Sequence, residues 1–171
     1  EGLHGDSIGY GNEKALNQLL AHHAVIFKPQ ERLVWVSTAP YQLGTFVAYD
    51  LKQIFSGSSY PSHTPYTQNP SLNIPAAPFL YTQAFKDYEA YRGLEQQIEN
   101  HLREHTPIVI DKVKHITALN PHYWKAYYLL GKAYQAQGDT STAHQLFQKA
   151  LQCEIPYTEE REKIQKLLMA H

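Results

Sequence analysis

The run His101-Leu102-Arg103-Glu104-His105 has the H-x-x-E-H spacing of an inverted zinc-protease motif. On a helix, this spacing would place both imidazoles on one face, with Glu104 beside them as a general base. The predicted helix ends almost at once, at Thr106-Pro107, and no second motif supplies an obvious third ligand. We therefore interpret the run as a solvated, charged helix end, and we predict no metal site and no cofactor.

His22 and His23 are the next candidates for chemistry. They are neighbours on a predicted strand, so their side chains point to opposite faces and do not readily share one metal ion. One of them could face a catalytic cleft, and both are kept as candidate catalytic residues. A hydrogen-bonded histidine in the core or at a sheet edge is the favoured interpretation.

Cys153 is the only cysteine, which excludes an internal disulfide and a cysteine-rich zinc knuckle. A nucleophilic thiol needs a base and an electropositive setting, and neither is evident near Leu151 and Ile155. The sequence also lacks a Gly-x-Ser-x-Gly elbow for serine chemistry. We therefore predict a packing role for Cys153.

The composition of the 171 residues predicts a globular chain with a real core. The hydrophobic share is 43% and the charged share 18%. The net charge is -1 and no basic run appears, which argues against a nucleic-acid surface. No apolar run approaches the ~20 residues that cross a bilayer, so no membrane span is predicted. The chain opens on Glu1 instead of Met, which suggests a processed or truncated product.

The elements that must position any site are clearest between Tyr123 and Leu151, where two amphipathic helical patterns meet at Gln137-Gly138-Asp139. Gly138 suits the left-handed cap of the first helix, and Asp139 can cap the second. The seam is predicted from residues of fixed order and spacing: Leu130, Gly131, Tyr134, Gly138, Ala143, Phe147 and Ala150. This pattern resembles a tetratricopeptide repeat, a helix-turn-helix unit of about 34 residues, with its late proline displaced to Pro156.

Further helices flank this repeat. Tyr91, Leu94, Ile98 and Leu102 form one apolar stripe, and Thr106-Pro107 predicts a helix start that continues to about Leu119. Asn120-Pro121 likewise places a capping residue before a proline and predicts a helix start ahead of the central repeat. One period upstream of the seam lie Val109, Val113 and Ile116, which indicate half of a degenerate repeat. Thr158-Glu159-Glu160 opens a terminal capping helix.

Four residues of the first repeat helix lie on the face that repeat arrays turn to ligands: Lys125, Tyr128, Lys132 and Gln135. They are the predicted binding residues for a protein partner. Tyr127 and Tyr134 are better explained as core of the repeat. With barely more than one repeat, a concave peptide groove has little surface, and packing of the repeat on its own chain stays an open alternative.

The first third of the chain predicts β structure. Asn12 can cap a short helix to about Leu20, followed by strands over 22–27 and 33–38 joined by a turn at 28–32. A further strand over 45–49 and a helical turn over 51–55 follow. We expect the hairpin to be covered on both sides and to need a larger sheet, because a lone hairpin is only marginally stable. Residues 56–80 hold five prolines and no charged side chain, and are predicted to be an extended arm against a surface.

The run from Leu19 to Gly44, with its Pro40-Tyr-Gln-Leu-Gly loop, and the strand end Val47-Ala-Tyr-Asp-Leu51 resemble a known family. This family comprises the acyl-CoA:6-aminopenicillanic acid acyltransferase-like proteins, which are linear amide C–N hydrolases of peptidase family C45. Ile74 to Leu80 is similar to the arm that follows in that family. The resemblance implies an N-terminal-nucleophile fold, in which two antiparallel sheets lie between helices, and a catalytic cysteine exposed by self-cleavage.

The chain departs from the family at the nucleophile, because it begins with Glu1 and Cys153 lies in the helical tail. The resemblance therefore implies a partner, the upstream part of the same polypeptide, that carries the nucleophile. It also implies that an extracytoplasmic location is open to this protein, although the sequence does not fix the compartment.

These observations predict an α+β chain. Residues 1–55 would supply antiparallel edge strands of a larger αββα sandwich, 56–80 the arm, and 81–171 a helical tetratricopeptide-like tail. The first hypothesis is the C-terminal portion of an amide hydrolase or acyltransferase without its nucleophile. The alternative is a non-enzymatic protein-interaction module.

Overall fold

The computed structural model describes residues 7–15, 18–56 and 70–169. Within it the chain forms two compact units. One is the segment Leu19–Thr82, and the other joins the N-terminal stretch through Gln18 to the chain from Gln83 onward. The described residues are therefore α+β, with a small sheet in one unit and helices in the other.

In the part of the sheet unit that the structure describes, three antiparallel strands lie in the order β1 (Val25–Lys28), β2 (Leu33–Ser37) and β3 (Phe46–Asp50). The β-branched and aromatic residues of β2 favour this extended conformation. In the register, Trp35 of β2 lies opposite Ile26 of β1 and Ala48 of β3. The predicted strands are confirmed, with bounds that differ from the predicted ones by at most three residues.

A short helix, α1 (Leu51–Ile54), follows β3 directly. The Asp50 side chain caps it by accepting hydrogen bonds from the Lys52 and Gln53 amides. The described part of the predicted arm lies along the sheet. Ile74 exchanges two backbone hydrogen bonds with Phe46, of 2.9 and 3.0 Å, and the Trp35 indole donates to the Leu72 carbonyl at 2.8 Å. Residues 57–69 of the predicted arm lie outside the described residues.

The residues that the structure describes leave β1 uncovered, and the covering expected on both sides of the hairpin from a larger sheet stays a prediction. Val25, Ile26 and Phe27 are 46%, 42% and 68% exposed, whereas Leu33 and Ala48 on the other strands are buried. Alternate side chains of a strand point to opposite faces, so both faces of β1 are open. A sheet edge with exposed apolar side chains is unusual, because natural edges are commonly protected by charges or bulges.

The described residues of the helical unit form six helices: α2 (Gln83–Glu104), α3 (Ile110–Val113), α4 (Ile116–Leu119), α5 (Trp124–Ala136), α6 (Thr140–Gln152) and α7 (Thr158–Met169). Helix α5 packs against α2, α4 and α6, and α7 packs against α6. Of the helices that the structure describes, none is both long and apolar enough to cross a membrane.

The turn between α5 and α6 follows the local chemistry that the sequence predicts. Gly138 has a φ of 84°, the left-handed conformation that ends a helix. The Asp139 carboxylate then accepts the Thr142 amide at 3.0 Å and caps α6. The seam closes behind this turn, because Gly131, Ala143, Phe147 and Ala150 are all buried. The predicted helix-turn-helix unit is confirmed.

A series of ring contacts runs through the core of the helical unit. Neighbouring centroids lie between 5.7 and 6.4 Å apart in the order Tyr88, Tyr91, Tyr123, Trp124, Tyr128 and Phe147. Such separations are typical of favourable aromatic pairs. The series connects α2 with the α5–α6 seam, which explains much of the high tyrosine content as packing surface.

The predicted helix over 12–20 is wrong in the described residues, where 13–14 and 19–20 are turns, and residues 16–17 lie outside the description. Asn12 instead is buried and donates to the carbonyls of Ile8 and Glu154 at 3.1 and 3.0 Å. The Asn12 side-chain oxygen also accepts the Lys14 amide at 3.0 Å, so the local bond expected of a helix cap is made, but a turn and not a helix follows it. The same side chain thus combines a local turn with a tertiary contact to a residue 142 positions away.

The single helix predicted over 107–119 is also wrong. It divides into α3 and α4 at the turn Lys114–His115, and it begins at Ile110 instead of Pro107. Val113 and Ile116 are buried as predicted, but Val109 is 56% exposed. Asn120 does not cap α5, since its side chain bonds the Tyr10 amide and carbonyl.

Candidate functional site

The four predicted binding residues lie on one stripe of α5. Lys125, Tyr128, Lys132 and Gln135 recur at intervals of three and four positions, which places them on one helix face. All four are half-buried, whereas Ala126, Leu130 and Ala133 on the opposite side of α5 are buried. This stripe is the surface of α5 that its packing partners leave accessible, and it borders two grooves.

The first groove, which we call the α2–α5 groove, has a volume of about 520 Å³. It is lined by Glu89, Arg92, Gly93, Glu95, Gln96, Glu99 and Lys125. Three carboxylates therefore face two cations along its walls. The groove is polar and carries an excess of one negative charge.

Glu95 is the centre of a charge network at the base of this groove. Its side chain is only 5% exposed, and it accepts Arg92 at 2.7 Å and Lys125 at 2.8 Å. The Tyr91 hydroxyl lies 3.2 Å from the same carboxylate. Because a buried charge is tolerated only when it is paired and hydrogen-bonded, these contacts fix α5 against α2.

Lys125 is held by two carboxylates, Glu95 and Glu99, each at 2.8 Å. Burial of this side chain works to lower its pKa, but the hydrogen bonds and charges of Glu95 and Glu99 outweigh that effect and raise the pKa. The ammonium group therefore stays charged. It acts as a structural tie between the two helices as well as part of the groove wall.

The second groove, the α5–α7 groove, has a volume of about 570 Å³. It is lined by Tyr128, Lys132, Glu159, Glu162, Lys163, Lys166 and Leu167. The Lys163 ammonium lies 5.3 Å from the centroid of the Tyr128 ring, a cation–π contact. Three lysines and two carboxylates line this groove, and Glu160 beside it is paired with Lys163 at 3.5 Å.

The pKa of Lys132 is lowered in the α5–α7 groove. Desolvation lowers its pKa first, and repulsion from Lys163 lowers it further. Its ammonium donates to the Gln135 side chain at 2.8 Å, which is a neutral partner.

The His101–His105 run forms no metal centre in the described residues, where no three histidine, cysteine, aspartate or glutamate side chains come together with metal-binding geometry. The His101 Nδ1 atom lies 2.6 Å from the Thr106 hydroxyl. His105 already lies beyond α2, with a φ of 52°. Both imidazoles border a cavity of about 460 Å³ with Leu102, Pro107 and Ile108 among its walls.

His22 and His23 are exposed and precede β1, which begins at Val25, so their predicted place on a strand is wrong. Cys153 follows the last residue of α6, half-buried, with its thiol 3.6 Å from the Lys149 carbonyl. Burial raises the pKa of this thiol, which disfavours the nucleophilic thiolate.

Sequence reasoning missed the residues that α2 and α7 contribute to the grooves, chiefly Glu95, Lys163 and Lys166. One signal was present for Glu95. It lies four positions after Tyr91 and three before Ile98, so it occupies a place on the apolar stripe of α2 where a charge needs a partner. The lysines of α7 gave no signal, since charged residues are expected on any capping helix.

Comparison with known proteins gives one family match. A tetratricopeptide repeat family model matches residues 113–145, from the end of α3 through α5 and into α6. No curated protein and no solved structure shows a significant match to the chain. The repeat prediction is thereby confirmed, whereas the resemblance to peptidase family C45 receives no support from these comparisons.

Proposed function

We propose that this protein is a non-enzymatic interaction module whose repeat binds a segment of a protein partner. The tetratricopeptide match over residues 113–145 supports a protein-interaction role. The proposed binding surface is the stripe of Lys125, Tyr128, Lys132 and Gln135 together with the two grooves that border it.

The observation that carries the proposal is the position of this stripe. Helix α5 buries its opposite side in the seam with α6, yet the stripe stays accessible, with one groove at its Lys125 end and the other along Tyr128 and Lys132. The Tyr128 ring, a residue type that is enriched at protein interfaces, lies beside a groove of about 570 Å³, and the charged side chains around both grooves could form hydrogen bonds with a polar segment of a partner. The surface offers hydrogen-bonding and stacking groups, but it holds no nucleophile with an activating base.

A random library of 12-residue peptides displayed on phage tests this proposal, with the immobilised chain as bait. The variant Tyr128→Ala/Lys132→Ala removes the ring and the charge at the middle of the stripe. We expect the wild-type chain to enrich peptides whose affinity falls at least tenfold in this variant, because aromatic and charged groups contribute most to such interfaces.

The matched control is Gln148→Ala/Lys149→Ala on the exposed face of α6, which alters the same number of polar side chains away from the stripe. Enriched peptides should bind this control like the wild type. Selection of no peptide above background, or equal loss of binding in both double variants, would refute the proposed surface. Helix content measured by circular dichroism confirms that each variant is folded.

A second candidate function follows from the exposed strand β1. The apolar edge of Val25, Ile26 and Phe27 favours completion of the sheet by further strands. The sheet unit would then contribute edge strands to an amide C–N hydrolase or acyltransferase whose nucleophile lies in another part of the polypeptide. The resemblance of residues 19–51 to peptidase family C45 implies this role.

The intact mass of the protein in its natural host tests the second candidate, together with hydrogen exchange of the β1 amides in that material. The expected result is a native protein that contains an upstream cysteine at a processed N-terminus. Its amides at residues 25–28 should exchange slowly. A native protein that starts near Glu1, and whose β1 amides exchange as fast as those of this chain, would contradict the second candidate function.

A further inference from the structure

A short segment near the N-terminus, residues 8–14, belongs to the helical unit although the whole sheet unit separates it from the helices along the chain. We call this segment the strap. Its contacts join distant positions, because Tyr10 bonds to Asn120 and Asn12 bonds to Glu154. Closing so long a loop costs entropy, which these contacts must outweigh. The strap therefore meets the helices much as a separate peptide would.

The backbone of the strap is bound at Tyr10. The Asn120 side chain, which is 1% exposed, accepts the Tyr10 amide at 3.0 Å and donates to the Tyr10 carbonyl at 2.8 Å. One buried side-chain amide thus satisfies both backbone groups of a single residue. The Tyr10 side chain itself is 40% exposed, with its ring edge-on to that of Tyr88. Recognition at this position therefore depends more on the backbone than on the side chain.

Two glycines on either side of Tyr10 let the strap approach the helices closely. Gly9 has a φ of 83°, and a Cβ atom there would lie 2.5 Å from the Tyr123 Cβ atom and 2.6 Å from the Tyr123 Cα and N atoms. Gly11 has a φ of 86°, and a Cβ atom there would lie 3.2 Å from the Tyr88 ring. Both positions favour glycine by conformation, and Gly9 also by space. The surface beneath the strap therefore selects for Gly-x-Gly.

The two ends of the strap are anchored by side chains. Ile8 is buried at one end. Asn12 is buried near the other end and donates to the Glu154 carbonyl at 3.0 Å, and Lys14 forms an ion pair with the Glu154 carboxylate. A segment that fits this surface thus has an apolar residue, then Gly-x-Gly-Asn, then a basic residue two positions later.

We infer that the strap is an intramolecular ligand, and that the surface formed by Tyr88, Asn120, Tyr123 and Glu154 is a binding site for segments of this kind. The site shares no residue with the stripe on α5, so the inference goes beyond the proposed function. In the intact chain the strap occupies the site at a high effective concentration, because it belongs to the same polypeptide. A free peptide of the same sequence binds only after the strap has been detached.

A fluorescently labelled peptide of residues 7–15, Ser-Ile-Gly-Tyr-Gly-Asn-Glu-Lys-Ala, tests this inference by anisotropy with the full chain. The variant Gly9→Ala should detach the strap through the clash with Tyr123. The peptide should bind this variant at least tenfold more tightly than the wild type, whose site is filled.

The matched control chain is Gly93→Ala, where an added Cβ atom meets nothing within 4 Å. It should bind as little peptide as the wild type does. The matched control peptide carries Gly9→Ala and should bind none of the three chains.

Two changes to the Gly9→Ala chain locate the bound peptide. Asn120→Ala removes both bonds to residue 10 and should weaken binding about tenfold. Glu154→Lys should weaken binding only about threefold, because an ion pair between exposed side chains contributes little. A peptide that carries Lys14→Glu should regain the affinity lost in Glu154→Lys.

The inference is overturned if the Gly9→Ala chain binds no peptide, or binds it no better than the wild type. Loss of the helical circular dichroism signal in Gly9→Ala would overturn it too, because the strap would then be part of the folding core and not a ligand. If Asn120→Ala alone loses that signal, the Glu154–Lys14 charge reversal decides the position of the peptide. None of these results bears on the stripe, which is tested through Tyr128 and Lys132.

Discussion

Replacement of Gly131 by alanine tests the close approach of α5 and α6. A Cβ atom at Gly131 would lie 2.6 and 2.8 Å from two ring carbons of Phe147 and 3.3 Å from the Ala143 carbonyl oxygen. Carbon atoms prefer about 3.5–4.0 Å. Phe147 is completely buried, so its ring has no open space into which it can move.

Two effects oppose each other in Gly131→Ala. Alanine favours the helix over glycine by about 1 kcal/mol, whereas overpacking of a rigid core costs about 1–3 kcal/mol. The contacts are about 1 Å too short and involve a fully buried ring, which places the cost at the upper end of that range. We therefore expect the free energy of unfolding to fall by about 1–2 kcal/mol.

The assay is urea denaturation followed by the helical circular dichroism signal at 222 nm, with Gly93→Ala as the matched control. Gly93 also lies inside a helix, but a Cβ atom there meets nothing within 4 Å. That variant should gain about 1 kcal/mol from helix propensity alone. The two glycine substitutions should therefore shift the midpoint in opposite directions.

The reasoning is refuted if Gly131→Ala is as stable as the wild type or gains stability as Gly93→Ala does. A double-mutant cycle locates the clash. Phe147→Leu shortens the side chain, so Gly131→Ala should cost less in that background than in the wild type, with a coupling energy of at least about 0.5 kcal/mol. Strict additivity would show that the ring is not the obstacle.

Three further predictions concern single residues of the helical unit. Glu95→Ala removes the buried counter-charge of Lys125 and Arg92. Because both cations are partly exposed and Lys125 keeps Glu99, the free energy of unfolding should fall by about 1–2 kcal/mol. Glu95→Gln, which keeps the shape and one acceptor, should lose less, and equal losses in urea melts would contradict the charge argument. The hydrogen bond from the Thr142 amide holds the pKa of the Asp139 carboxyl below its ordinary value. The stabilisation of α6 by this carboxylate is therefore fully present when the pH is above that ordinary pKa, and it is lost as the pH falls through the pKa of the folded state. The helical signal should therefore weaken less between about pH 5 and pH 2 in Asp139→Asn, which caps without titrating, than in the wild type; identical pH profiles would remove this role. Burial raises the pKa of the Cys153 thiol, so its reaction with a disulfide reagent at neutral pH should be slower than that of free cysteine and should accelerate as the pH rises; a rate equal to that of free cysteine would show an unburied thiol.

The sequence by itself determined the features that short-range chemistry controls. Gly138 and Asp139 define a helix end and the next helix start through contacts within a few residues, so the turn between α5 and α6 could be predicted and is observed. The alternation of apolar residues likewise predicted β2 and β3. In the candidate site, only the stripe on α5 was predictable, because helical spacing places its four residues on one face.

Tertiary structure alone decided how distant segments meet. Asn12 and Asn120 carry strong local capping preferences, yet both are buried and bonded to backbone groups more than a hundred positions away. The local sequence did not predict that the helix expected over 107–119 divides into α3 and α4. The grooves arise because α2 and α7 bring Glu95 and Lys163 to α5, and the spacing within one helix contains no information about which other helix lies beside it. A charge pattern distributed over three helices becomes a site only after those helices have packed.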